Sequence, residues 1–570
     1  MIVPLAVQRG IMSDRIDRRS FLARGAVAGA GIAVVGTSGG LLAACSSGSG
    51  SSSTTGTGTH PDGVSSAAPK QGGQLVFGVD AEEKGFSPTQ GTFDEVGILY
   101  ARTVFDPLMI LSASGTPEPY LAQSVTPNSD YTVWTITLRP NLVFHNGSPC
   151  DGAAVAANFA AHKASALTGP TLTAVDSVMV TSPLVVTITM KSPWVPFDFY
   201  LTGGIGGQFA YVAEPTWLNS NSQTNPVGTG PFVFQEWTPN DHFTATKNPH
   251  YWRTGYPYLD SITYKPIPDS DQLLSSLTSG SVDIMHTPTP AVISTLRADT
   301  SLAYIDDSKN VAGEPDMDCL QLNLDKPPFN NLKVRQATAY AVSSAQYVEV
   351  IDRGVNSPSN GPFPSTSPYY LADNGYPVYN VSKAKALVQQ VQQETGQPVA
   401  VTIDHLPDAS TTRIAEYLQQ QLQTVGMQVT LNPIQQAQEI NVALLGSFEA
   451  IVWRQFGAVD PDMNYIFWSP TNANTPGFSI NMARNTDPAM ETALLKGRQS
   501  PNQTDRIAAY QEVNKLMGSD LPYIWNDRTL WSVAAQPKVQ NFNNPTTPAG
   551  GKAFGMIGGA VWPTQIWLTS

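Results

Sequence analysis

The chain has 570 residues, of which 41% are hydrophobic and only 14% charged, and its formal net charge is −13. That length exceeds one simple core and points to two or three lobes, while the acidic balance excludes a nucleic-acid binder, which needs basic surface to neutralise phosphates. Three cysteines are too few for a disulfide scaffold or a four-thiolate zinc site, and 46 glycines with 45 prolines imply many turns.

In chain order, the first element is an address. Residues 14–24 read DRIDRRSFLAR, and the Gly/Ala-rich run GAVAGAGIAVVGTSGGLLAA leads to Cys45. A basic region, an apolar region and small residues before a processing point make a secretory signal over 1–44. Arg18 and Arg19, followed by Phe21 and Leu22, resemble the twin-arginine export signal, with Asp17 in place of the usual hydroxyl residue. Met12 offers a second start with a more compact basic region. The apolar run is too Gly-rich for a spanning helix, and no stop-transfer flank follows it. Leu42, Ala43, Ala44 and Cys45 resemble the lipobox of bacterial lipoproteins. That resemblance implies a lipidated Cys45 anchored to the outer face of the cell membrane. Two acyl chains make a stable anchor at ~0.8 kcal/mol per buried CH2, where one binds reversibly. Residues 45–72 then read as the lipidated cysteine and a flexible Ser/Gly/Thr-rich linker. At ~5–6 Å × √n, about 26 such residues span roughly 25–30 Å.

The folded body is expected to start at GGQLVFGVD, residues 72–80. In TVWTITLRP, Trp134, Ile136 and Leu138 alternate onto one face of a strand, as do Leu184, Val186, Ile188 and Met190 in LVVTITM. From about residue 330 helices and strands alternate. Val334, Ala337, Ala341, Val348 and Ile351 predict a helix over 331–352, ended by Gly354. Ile414, Tyr417, Leu418, Leu422 and Val425 predict another, stopped by Gly426 and followed by a strand through Met427, Val429 and Leu431. Ile507, Tyr510, Val513 and Met517 predict a third, stopped by Gly518. The first half therefore reads as α+β and the second as α/β, two lobes with a cleft between them.

Signatures of catalysis are missing from the body. The G-x-S-x-G at 36–40 lies inside the signal, without strand–turn–helix context. There is no phosphate-binding P-loop, and Gly228-Thr229-Gly230 runs into Pro231, which does not open a dinucleotide-binding helix. Seven histidines show no H-E-x-x-H and no close pair, and His145 in FHNGSP reads as a turn residue. Cys150 and Cys319 can pair in an exported chain or lie separately buried. No pair of carboxylates is marked out by sequence. No metal site or cofactor is expected, and the chain reads as a non-enzyme.

Several blocks together resemble the family 5 extracellular solute-binding proteins of ABC importers, the peptide-, nickel- and oligosaccharide-binding lipoproteins. The blocks are VFDPLMILSASGTPEPYLAQSVTPNSDYTVWTITLRPNLVFHNGSP at 104–149, PVGTGPFVFQEW at 226–237, KNPHYWRTGYPYLDSI at 247–262 and LTSGSVDI at 277–284. LQLNLDKPPFNNLKVRQATAYAV at 320–342 and WRQFGAVDPDMNYIFW at 453–468 complete the series. The resemblance covers 73 to the C-terminus. It implies an α/β, bilobal periplasmic-binding-protein-like fold of type II, with an inserted third subdomain near 110–225. One lobe would comprise 73–315 and the return segment 505–570, and the other 316–504. A solute would sit between the lobes and shift the population toward closure. A membrane permease would receive the loaded form, and the binding protein would act as a monomer.

The resemblance places a Trp-containing segment of the second lobe at the ligand, here Trp453, Arg454, Gln455 and Phe456, with core packing after the apolar run AIV as the alternative reading of Trp453. Asp460 precedes Pro461 and would either anchor a ligand amine or cap a turn; Tyr100 and Trp525 are further candidates. Peptide binders of the family carry an acidic residue four positions before that proline, where this chain has Gly457. A peptide remains the leading ligand, but the missing carboxylate weighs against a free amine. The expected cleft is aromatic with few charges, suited also to a sugar, a metal chelate or an apolar solute. A regulatory envelope lipoprotein on the same fold is a further alternative.

Overall fold

The computed structural model describes residues 60–569 apart from 65, 92, 205, 221, 310–314 and 474–476. The expected signal, Cys45 and the linker up to residue 59 lie outside the described residues. The end of that linker is tied down rather than free. His60 Nε2 lies 2.8 Å from the Arg297 carbonyl, and the Tyr304 N–H donates to the Pro61 carbonyl at 3.0 Å.

The first lobe is built on a seven-stranded mixed sheet. Its order is Ala303–Asp306, Ser532–Ala535, Ile284–Thr287, Gln74–Val79, Ser261–Pro266, His242–Lys247 and Phe232–Thr238. Gln74–Val79 is central and parallel to both neighbours. Its near-continuous apolar run suits a strand covered on both faces, and Phe77 and Val79 are fully buried. The inserted subdomain carries an antiparallel sheet of Ala122–Pro127, Val133–Leu138, Val185–Met190 and Val175–Ser182. Trp134, Ile136 and Leu138 face its core as their alternation requires.

The second lobe has a five-stranded sheet in the order Gln428–Pro433, Ala400–His405, Ala450–Gln455, Met317–Leu322 and Tyr523–Trp525. Between the parallel strands Ala400–His405 and Gln428–Pro433 runs the helix Ala409–Thr424. Asp408 starts that helix by accepting the N–H groups of Ser410 and Thr411.

Three expectations change. The stretch 331–352 is two helices, Leu332–Ala341 and Ser344–Val350, because extended Val342 breaks it and Ser343 caps the second by accepting the Gln346 N–H. Gly518 does not stop its helix, which runs Gln503–Asp520 and ends at left-handed Leu521. Gly518 is there for close approach: a Cβ would lie 2.3 Å from the Asn374 carbonyl oxygen. The return to the first lobe comes after Trp525, not at 505, because Tyr523–Trp525 hydrogen-bonds to Met317–Leu322 and Tyr510, Val513 and Met517 pack in the second lobe's core. The chain thus passes between the sheets twice, from Asp306 to Met317 and from Trp525 to Ser532.

Both body cysteines are unpaired. Cys150 lies in the inserted subdomain's core and Cys319 in the second lobe's, so the two thiols serve as small buried side chains. His145 is the turn residue its sequence suggested: it accepts the Gly228 N–H at Nδ1 and lies 3.0 Å from the Gly230 carbonyl at Nε2. Burial pushes its imidazole down to about 4. Among the described residues, no helix is long and apolar enough to cross a membrane.

Candidate functional site

A cavity of ≈ 430 Å³ lies between the two lobes. Its first-lobe wall begins where the central strand Gln74–Val79 ends: the chain continues through Asp80, Glu82, Glu83 and Lys84 along the cavity. The helix Glu95–Val104 starts at the same wall. Asp94 caps it, its Oδ1 accepting the N–H groups of Val96 and Gly97 at 3.0 Å each. Gly97 is needed for close approach, since a Cβ there would stand 2.4 Å from Glu83 Oε2. The Glu83 carboxylate therefore lies against the first turn of this helix, and Trp531 completes the wall from the second crossing segment.

The second-lobe wall is the end of the strand Ala450–Gln455 and the chain after it. Val452, Trp453, Arg454 and Phe456 line the cavity, with Ile466, Phe467 and Ile480 beside them. Arg454 Nε donates to Asp318 Oδ1 at 2.8 Å, from the register partner on the neighbouring strand. Its guanidinium sits 5.6 Å from the Trp531 ring centroid, so this cation is neutralised and stacked. Phe456 packs 5.5 Å from Phe467. Trp453 is both wall and core: it lines the cavity at 9% exposure, packs in the second lobe's core, and its Nε1 has no partner among the described residues.

Four other candidates lie away from the cavity. Gln455 is buried, with Nε2 directed at Asn464 Oδ1. Asp460 is paired with both terminal nitrogens of Arg506, at 2.7 and 2.9 Å, and caps a short turn by accepting the Asp462 N–H. Tyr100 is enclosed by Phe86, Phe243 and Tyr264, and Trp525 packs on Tyr523 at 5.0 Å. In all four the side chain is taken up by internal packing or pairing before it reaches the cavity.

The expectation of a cleft with few charges is overturned. The first lobe contributes Asp80, Glu82, Glu83, Asp94 and Glu95, and the second contributes Asp318 and Glu439; Lys84 and Arg454 are the cations on the wall. Burial pushes the Glu83 and Glu95 carboxyls well above the usual range, Asp94 adding to the first and Asp316, then Asp94, to the second. Burial also raises Glu439, to about 7. Asp80 stays below the ordinary range because, against its burial, His286 lies 2.9 Å away and Arg454 adds attraction. The acidic residues cluster in DAEEKG and FDE, two short runs in a charge-poor chain. That local density was the available signal. Among the described residues, no group of three or more His, Cys, Asp or Glu has the arrangement to hold a metal ion.

Gly457, at the position expected to be acidic, donates its N–H to Asp316 Oδ1 at 2.5 Å. Asp316 Oδ2 accepts Trp531 Nε1–H at 2.7 Å. A carboxylate of the crossing segment thus ties together the walls of both lobes.

Residues 116–477 match the family described as bacterial extracellular solute-binding proteins, family 5. The chain is 26% identical over 423 residues to a glutathione-binding protein of Pectobacterium atrosepticum, covering 71% of this chain and 79% of that protein. It is 26% identical over 466 residues to the nickel-binding periplasmic protein of Escherichia coli K12, covering 77% and 86%. The periplasmic binding protein DppA of Helicobacter pylori, solved with the peptide STSA, superposes with a TM-score of 0.77 at 22% identity, covering 88% of this chain and 99% of that one.

Proposed function

The chain belongs to the bacterial extracellular solute-binding proteins of family 5, and from that premise we propose that it captures a small, oligopeptide-like solute for an ABC importer. The observation that carries this reading is the cavity itself, walled by two lobes whose sheets are linked by two crossing segments. A solute touching both walls binds the closed arrangement better than the open one, so occupancy and closure are one equilibrium. The cavity volume suits a small solute, and its walls combine aromatic faces with a dense set of acidic side chains. The role asks no chemistry of this chain. A membrane permease recognises the closed, loaded form, and the energy comes from nucleotide hydrolysis elsewhere. In this reading Cys45 carries the lipid, and the segment after it is the tether that lets a monomeric body reorient onto the permease.

Two measurements test the reading. Native mass spectrometry of protein extracted from its own cells is expected to show a small solute bound one to one, and lost in Phe456→Ala. A carrier without retained solute, and without a ligand-dependent thermal shift across peptides, sugars and amines, would remove the capture role. Cys45→Ala is expected to leave the membrane fraction; its retention there would remove the anchor.

A further inference from the structure

The cavity wall holds more carboxyl groups than the protein pairs with cations or supplies with donors. Arg454 is already paired with Asp318, and Lys84 is exposed at the rim. Asp80 is engaged by His286, and Glu82 accepts the Trp237 Nε1–H at 2.7 Å. The helix start accounts for Asp94 through its two backbone donors. It does not account for Glu83 or Glu95. Glu83 Oε1 accepts the backbone N–H of Lys84 at 2.9 Å and the Gly85 N–H is a second backbone donor to the same carboxyl, but among the described residues no side chain donates to it. Glu95 is 8% exposed and lines the cavity, yet its Oε1 has no hydrogen-bond partner among the described residues. A buried carboxylate oxygen without a donor is costly, and its persistence at a cavity wall points to a donor that arrives from outside.

We propose that the cavity selects a solute bearing a compact organic cation, an ammonium or a guanidinium, and that Glu95 and Glu83 of the first lobe receive it. This rests on the importer reading and supplies its substrate class. An ammonium brings three donors and a guanidinium five, against carboxylates that the protein leaves short of donors. Trp531, Phe93 and Phe456 give the cation aromatic faces, a use Trp531 already serves for Arg454. The apolar wall of Leu167, Ile440 and Leu444 favours an organic carrier of that charge over a hydrated ion. Recognition thus comes from the lobe opposite the one on which the family's peptide binders carry their acidic residue, a position held here by Gly457.

Arrival of a cation also draws protons off the wall. Glu95 faces Asp94 on its own helix, Asp316 on the crossing segment and Arg454 on the opposite lobe. Glu83 faces Asp94 and Lys84, and Asp94 in turn faces Asp80 and His286. Burial first, and then the acids among these, raise the carboxyls, so a bound cation lowers them and releases protons.

Calorimetry on the purified full-length protein would use agmatine, spermidine and an arginine-containing tripeptide as cationic probes, with maltose, citrate and an acetylated acidic tripeptide as controls. The expected result is binding of a cationic probe, weakened at least tenfold in Glu95→Gln and in Glu83→Gln. Wild type at pH 7.5 should also show heats that depend on the buffer's ionisation enthalpy, the sign of proton release; a merely structural glutamate would leave both readouts unmoved. The Gln side chains are near-isosteric, and circular dichroism verifies their folding. If the tightest probe is neutral or anionic, or if both Gln variants bind the cation undiminished, the cation assignment falls while the importer reading stands. If every probe is silent, the cation assignment falls, and the importer reading falls with it only if native mass spectrometry also finds no retained solute.

Discussion

Two groups of buried acids separate the two sides of this molecule. Asp460 and Asp462 lie in the second lobe, each bonded to an arginine: Asp460 to Arg506 at 2.7 Å and Asp462 to Arg498 at 2.9 Å. Asp462 also accepts Trp194 Nε1–H at 2.9 Å from the inserted subdomain, and its carbonyl accepts the Tyr200 hydroxyl. Met463 and Ala458 enter that subdomain's core, so this group fastens two parts of the structure together. Glu83 and Glu95 are also buried on the first lobe, with Asp94 half-buried beside them, yet among the described residues none of the three forms an ion pair with a lysine or arginine. The same residue type is structural where the fold supplies the counter-charge and available for a ligand where it does not. Pairing, more than burial, distinguishes the two roles.

The largest test of that distinction is to break the paired side. Arg506→Ala leaves Asp460 buried without its partner and is expected to cost about 3–5 kcal/mol, read as a lower urea midpoint. A loss below about 1 kcal/mol would show that the pair is not structural. The unpaired side should respond in the opposite sense. A carboxyl raised in the fold is most stabilising when protonated, so wild type keeps that contribution below the ordinary glutamate range and loses it as pH rises from about 4.3. Glu95→Gln cannot ionise. Without ligand, its stability relative to wild type is expected to climb with pH, by at most ~1.4 kcal/mol per unit. Urea midpoints from pH 4 to 8 measure this, and a difference flat with pH would break the comparison. The smallest effect belongs to a surface pair. Arg297 lies 2.7 Å from Asp306, and Arg297→Ala is expected to cost no more than about 1 kcal/mol, falling further in high salt. A salt-independent loss of 3 kcal/mol or more would show that exposure does not protect as argued.

The paired acids were half legible in the sequence. Asp460 before Pro461 read as either a ligand anchor or a turn, and the structure makes it a turn cap and an ion pair. The cavity acids were present as a dense local run, but nothing in the run tells which oxygens find donors. Trp453 shows the same limit: a tryptophan near the end of an apolar strand reads as wall with core as the alternative, and it is both. Tyr100 and Trp525 are ordinary helix and strand residues by pattern, and only their neighbours enclose them.

By itself the sequence determined what repeats over a few residues or stands in fixed order. The period-two strands at Val133–Leu138 and Val185–Met190, the helix Ala409–Thr424 and the ordered blocks that resemble one family are of this kind. Such signals are local because a strand's alternation or a helix's stripe is set by backbone geometry within one element. Tertiary structure alone decided that the chain returns to the first lobe after Trp525, that Gly518 serves close packing, and that a mostly first-lobe set of acids faces the aromatic residues of the second. It also decided the electrostatics. Whether a carboxylate is paired depends on charges brought close by the fold from distant parts of the chain, as Asp460 and Arg506 are and Glu95 is not.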